Sequence, residues 1–134
     1  MEKEKTSLSF KRVEKAIVAL ALMATKPMQE DRGNIDATIQ RFEFTIELFW
    51  KLLRNLLEMK GVFVQYPKDV LREAYRGHFI EDEQVWLSML QDRNLTSHTY
   101  DEALADQIYK RIQNYVPVFQ TSYAALKTKF LCKC

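Results

Sequence analysis

Ile35, Ile39, Phe42, Ile46, Phe49, Leu53 and Leu56 advance by alternating steps of four and three, which lines them up on one face of an α-helix. No other feature constrains the fold as strongly, because it commits the middle of the chain to one long amphipathic helix. Phe44, Leu48, Trp50 and Leu52 widen the apolar surface beyond a single stripe. A helix of this kind meets neighbours on more than one side, as the centre of a bundle or a dimer seam does. Gly33-Asn34 precedes it and Gly61 closes it.

The flanking segments read as further helices. The first is expected from Leu8 to Thr25, with Thr6 or Ser7 as N-cap and Pro27 just past its end. Val62 to Tyr66 has strand-like composition but no partner strand, and is read as a connector. Pro67 suits the first position of a short helix to Arg76, ended by Gly77. Glu81, Asp82 and Glu83 suit the first turn of a fourth helix through Val85, Leu87, Met89 and Leu90, with Arg93 near its end. Thr99 with Glu102 forms a capping-box pattern, placing Tyr100 in the next first turn and His98 just outside it. The stripe Leu104, Ile108, Ile112, Tyr115, Phe119, Tyr123, Leu126 and Phe130 then runs to the terminus, with Pro117 expected to bend it. Three Gly and three Pro are too few for a turn-rich all-β protein. The expectation is an all-α antiparallel four-helix bundle with an additional short helix: one domain, residues 1–134, with 1–7 and 132–134 frayed.

Charge and composition narrow the function. A net charge of +2 argues against a protein that grips nucleic acid through bulk charge, so DNA binding is not expected and any RNA contact must be local. The run Ala16 to Ala24 resembles a secretory signal, but it is too short to span a bilayer and follows Glu2, Glu4 and Glu14. A buried first helix in a cytoplasmic protein, away from membranes, is the better reading. Cys132 and Cys134 are too close in sequence for an unstrained disulfide, and His78 and His98 lack a paired spacing for zinc. These cysteines are read as free thiols, and neither a metal nor a cofactor is expected.

One segment looks chemical. Arg93-Asn94-Leu95-Thr96-Ser97-His98-Thr99-Tyr100 places a permanent cation, an imidazole and a phenol in one connection between helices. Cleavage of a phosphodiester by a neighbouring 2′-hydroxyl wants such groups: arginine to hold charge on phosphoryl oxygens, histidine to move a proton. On one continuous helix Arg93 and His98 would point about 140° apart, an objection that a break near Thr96 or Ser97 removes. His98 would then stand beside a helix N-terminus that favours phosphate. The competing reading pairs Arg93 with an acid such as Asp92 or Glu102 and leaves His98 as a cap. Arg72 and His78 repeat the loose spacing without a following tyrosine, and His78 is assigned to structure. Arg41, Glu43, Glu47 and Lys51 are read as a solvated or paired face, with Glu47 and Lys51 at favourable spacing.

RNLTSHTYDE from Arg93 to Glu102, QRFEFTIELFWK from Gln40 to Lys51 and YPKDVLREAYRGHFI from Tyr66 to Ile80 closely resemble the nucleotidyltransferase substrate-binding protein family of the HEPN superfamily. The resemblance covers nearly the whole chain. Its most specific element, Arg, four residues, His, one residue, Tyr, is matched by Arg93, His98 and Tyr100. It implies a bundle that dimerises, bringing two such motifs to one cleft, and a minimal nucleotidyltransferase as partner. In toxin–antitoxin pairs of this kind the HEPN member is a metal-independent ribonuclease. Arg93 and His98 match the catalytic positions, supported here by Asn94 and Ser97. Tyr100 matches the tyrosine to which the partner adds AMP to silence the enzyme. The alternative that the resemblance leaves open is a non-catalytic subunit presenting substrate to the nucleotidyltransferase.

Overall fold

The structure, a computed structural model, describes residues 2–26 and 32–131. Among these residues five α-helices follow in order: α1 Glu2–Ala24, α2 Gly33–Met59, α3 Pro67–Arg76, α4 Glu83–Leu95 and α5 Glu102–Phe130. No strand forms among the described residues, and Val62–Tyr66 is a connector. Contacts fix the helix directions. Thr45 donates to the Ala16 carbonyl and Thr6 lies against Met59, so α1 and α2 are antiparallel. Phe49 packs on Trp86 while Glu43 meets Arg93, so α2 and α4 are antiparallel as well. Arg32 reaches Asp106 and Phe42 stacks on Tyr115, so α5 runs with α2. The result is the expected four-helix bundle, with α3 as the additional short helix.

The apolar stripe of α2 is the axis of this arrangement. Ile35, Phe42, Ile46, Phe49, Leu53 and Leu56 are all fully buried, and α2 packs against each of the other four helices. The widened apolar surface therefore serves the bundle centre, although Phe44 remains 57% exposed. Phe49, Trp86 and Phe119 form an aromatic triad with ring centroids 4.6 to 5.8 Å apart. Offset and edge-on aromatic packing of this kind combines large buried area with preferred orientation, and it fixes α4 against α2 and α5.

Several boundaries differ from the sequence reading. α1 begins at Glu2 rather than Leu8, so Thr6, expected as a cap, lies buried inside the helix. Pro27 and the Cys132–Cys134 tail lie outside the described residues. α2 closes at Gly61 as expected: at φ 82° it lets the Val62 N–H reach the Leu57 carbonyl and its own N–H reach that of Glu58. At the end of α3 the left-handed residue is not Gly77, whose φ is −83°, but His78 at 63°. The Phe79 N–H bonds back to Ala74 and that of His78 to Tyr75, the same six-to-one closure with histidine at the position usually given to glycine. This gives the structural role assigned to His78 a concrete form. Pro117 lies inside α5 on the exposed side, and the helix continues through it to Phe130. The carbonyl of Gln113, deprived of its usual donor, lies on an exposed residue.

Candidate functional site at the α4–α5 junction

α4 ends at Leu95 and the chain tightens into a 3₁₀ turn over Thr96–His98. The sequence explains the change. Thr96 Oγ1 donates to the Arg93 carbonyl at 2.6 Å, Ser97 Oγ to that of Asn94 at 3.2 Å, and Thr99 Oγ1 to that of Thr96 at 3.1 Å. Three short hydroxyl side chains thus satisfy carbonyls that another helical turn would have used. The break expected near Thr96 is present.

The capping arrangement differs from expectation. Asp101, not Thr99, caps α5, accepting the Leu104 N–H at 3.2 Å. Tyr100 accordingly stands before the helix rather than in its first turn. The free backbone donors expected to attract phosphate are already served in part by the Asp101 carboxylate. Glu102 opens the helix with a second acid. Attraction of an anion here must come from side chains.

Arg93 reaches across to α2. Its Nη1 lies 3.2 Å from Glu43 Oε2 and its Nε 3.5 Å from Glu47 Oε1, and Nη1 also donates to Thr96 Oγ1 at 3.3 Å. The Nε atom is shielded from solvent and makes no hydrogen bond, so its relation to Glu47 is an ion pair at the edge of contact. The Arg93 side chain as a whole is 31% exposed. The alternative of pairing with Asp92 or Glu102 is not what occurs. The acids are Glu43 and Glu47, read from the sequence as a surface face, where only the Glu47–Lys51 contact, 4.0 Å, was legible. An i, i+4 pair of glutamates was the only available signal, and it does not say which cation arrives.

His98 and Tyr100 are both exposed, Tyr100 at 82%. His98 Nδ1 lies 3.3 Å from Tyr100 Oη, with the rings edge to face. Arg93 and His98 do not hydrogen-bond to each other among the described residues, but neither is sealed beneath the core. Asn94 and Ser97 sit exposed between them, and the Ser97 hydroxyl is spent on the Asn94 carbonyl. Among the described residues no cluster of three or more His, Cys, Asp or Glu side chains is placed to hold a metal ion. No described helix is long and apolar enough to cross a membrane.

Asp92, next to Arg93 in sequence, faces the other way and is buried. Arg111 grips it with Nε and Nη2, both at 2.8 Å, and the Tyr115 hydroxyl donates to it at 2.6 Å. This bidentate bond raises the Arg111 pKa, and burial together with donation to Asp92 pushes the Tyr115 phenol up. The network ties the last turn of α4 to α5, and so anchors the base on which Arg93 stands. Its sequence signal was weak: Arg111 and Tyr115 are one helical turn apart, and Met89 and Asp92 share the inward face of α4.

The chain matches, over residues 8–128, the family described as nucleotidyltransferase substrate binding protein like. It is 37% identical over 87 residues to a probable ribonuclease HepT of Haemophilus influenzae, an alignment spanning 61% of this chain and 60% of that relative. A crystal structure from Thermus thermophilus superposes with a TM-score of 0.79 at 36% identity, covering 86% of this chain and 98% of that one. A Haemophilus influenzae structure, described as revealing the fold of a substrate binding domain of a nucleotidyltransferase, gives a TM-score of 0.68 at 27% identity, covering 93% and 98%. By its sequence match across most of its length, in agreement with its fold, the chain belongs to the nucleotidyltransferase substrate-binding protein family.

Proposed function

We propose that this protein is a HEPN-type, metal-independent endoribonuclease, the toxin of a toxin–antitoxin pair whose partner is a minimal nucleotidyltransferase. The observation that carries the reading is the junction where a clamped arginine in the last turn of α4, Arg93, is followed by a 3₁₀ turn that carries an exposed histidine, His98. In the reaction the 2′-oxygen of RNA bonds to phosphorus and the bond to the 5′-oxygen breaks, leaving a 2′,3′-cyclic phosphate and a 5′-hydroxyl. An imidazole such as His98 takes the proton from the attacking hydroxyl or returns one to the leaving oxygen. The Arg93 guanidinium offsets charge on the non-bridging oxygens. Asn94 and Ser97 support the turn between them.

The working unit is a homodimer. Phe44 is exposed on α2 between Arg41 and Glu47, a patch with an apolar centre and opposite charges on either side. A two-fold axis through Phe44 sets Arg41 of one copy towards Glu47 of the other, the self-complementarity that a two-fold interface needs. Glu47 also contacts Arg93, so such a seam brings the two sites towards each other.

Regulation falls on Tyr100. Its side chain stands in solvent, and AMP attached there stands against the His98 ring, whose Nδ1 lies 3.3 Å from the hydroxyl before modification. The partner supplies ATP-dependent transfer in the cytoplasm, with pyrophosphate leaving as the phenolic oxygen bonds to the α-phosphorus. A mass gain on wild-type protein but not on Tyr100→Phe, when partner and ATP are present, is the expected result. Absence of any gain removes this part of the proposal.

A second reading, a non-catalytic subunit presenting substrate to the nucleotidyltransferase, is favoured by the neutralisation of Arg93 by Glu43 and Glu47. RNA cleavage assayed with Arg93→Ala and His98→Ala separates the two: both variants are inactive if the site is catalytic. Equal residual cleavage in all three proteins leaves only the binding role.

A further inference from the structure

An open groove of about 560 Å³, with polar and apolar lining in similar measure, lies not at Arg93 but on the opposite face of α4, between α4 and α5. Gln84, Ser88, Gln91 and Asn114 line it, with Val85 and Leu95 as apolar contacts and the Asp92–Arg111–Tyr115 network as one wall. Gln84, Ser88, Gln91, Leu95 and His98 follow one another in steps of four and three. The recess therefore lies on the helical face that leads directly into the 3₁₀ turn carrying His98.

Its chemistry is specific. Three carboxamides and a hydroxyl offer both donors and acceptors but no charge. The cation in its wall, Arg111, is held bidentately by a buried carboxylate, so its charge is cancelled where it stands. A phosphate finds no surplus positive charge here, whereas a planar, neutral ligand with mixed donor and acceptor edges finds matching groups. The volume suits a ligand of nucleobase size with room for its sugar.

We propose that the α4–α5 groove seats one unstacked base of single-stranded RNA, on the face of α4 that leads towards His98, and that Gln91 and Asn114 read its edge. The inference rests on the ribonuclease reading above and adds a substrate class to it. Bases in an A-form duplex present their distinguishing edges in a groove too narrow for side chains. The groove accordingly selects unpaired RNA, and sequence preference resides in α4 and α5 rather than in the catalytic pair.

The test uses the full chain carrying His98→Ala, to prevent cleavage, with short fluorescent homopolymers of U, C, A and G and a duplex of mixed sequence, followed by fluorescence anisotropy. Affinities for the four homopolymers are expected to spread by about tenfold, the discrimination that one good base-edge contact gives. Adding Gln91→Ala and Asn114→Ala, both at exposed positions, is expected to collapse that spread while leaving the melting temperature and duplex binding unchanged. As a second readout, the side-chain amide resonances of Gln91 and Asn114 should shift on addition of the preferred homopolymer. An unchanged ranking in the triple variant, with wild-type cleavage intact, overturns the base seat alone. An unchanged ranking together with loss of partner co-purification assigns the groove to protein docking instead. Wild-type protein that neither binds nor cuts RNA removes the ribonuclease reading and this inference with it.

Discussion

Arg93 Nη1 on α4 stands 3.2 Å from Glu43 Oε2 on α2, with Glu47 Oε1 3.5 Å from its Nε. The cation proposed to hold RNA phosphate is thus oriented and partly neutralised by two acids of the neighbouring helix. Orientation favours catalysis, because a fixed donor costs no reorganisation when charge develops. Neutralisation opposes binding, because the carboxylates repel phosphate.

Replacing both acids should separate these effects. In Glu43→Gln/Glu47→Gln protein, RNA is expected to bind roughly several-fold tighter at low ionic strength. The same protein is expected to lose about tenfold or more in kcat, as the guanidinium loses its fixed geometry. Steady-state kinetics at two salt concentrations measure both. A fall in affinity with kcat unchanged would mean that the acids do not act through Arg93.

The Asp92–Arg111–Tyr115 network should matter to stability. Arg111→Ala leaves a buried carboxylate with one hydroxyl donor, and removal of one partner from a buried charge typically costs about 3 kcal/mol. Replacing Asp92 by Leu together with Arg111 by Met removes the stranded charge and should recover most of that loss. Urea unfolding of the single and double variants decides the point, and equal losses in both would show that the charge pair is not what holds α4 to α5.

His78 carries φ 63° at the end of α3, a conformation that costs an L-residue about 1 kcal/mol relative to glycine. His78→Gly is therefore expected to raise stability, or at least to lose nothing, despite greater freedom of the unfolded chain. His78→Val should lower it by more than about 1 kcal/mol. Thermal melts of the three proteins at neutral pH provide the comparison.

Alkaline pH should unfold the protein through its tyrosines. Burial, with donation to Glu14, pushes the Tyr123 phenol up to about 12, and Tyr115 is raised as well. A folded-state pKa raised above the ordinary value of about 10 gives stability that is complete below pH 10 and lost as pH rises through the folded value. Melting temperature should begin to fall above about pH 10, and Tyr123→Phe should flatten that slope. An identical slope in the variant would assign the loss elsewhere.

The helices were legible because their signals are local. The alternation of Ile35 through Leu56 dictates α2, and Pro67 with Gly77 brackets α3 to the residue. The start of α5 was misread because Thr99 and Asp101 are both competent caps. The Thr99 hydroxyl is drawn back to the Thr96 carbonyl, leaving the role to Asp101. Arg93, His98 and Tyr100 were singled out from the sequence as candidates, and the break expected beside them is present at Thr96. Glu43 and Glu47 as partners of Arg93 were not, since ion pairing across two helices depends on their mutual rotation. The α4–α5 groove was likewise invisible, because Gln91 and Asn114 look like ordinary surface residues until the two helices are placed side by side.

The most direct measurement is cleavage of end-labelled single-stranded RNA in the presence of EDTA by wild-type, Arg93→Ala and His98→Ala proteins. Wild-type fragments ending in a 2′,3′-cyclic phosphate, with each variant slower by about a hundredfold or more, are expected. Wild-type protein that leaves the RNA intact, or variants that cut it equally well, would show that the junction of α4 and α5 is not a ribonuclease site.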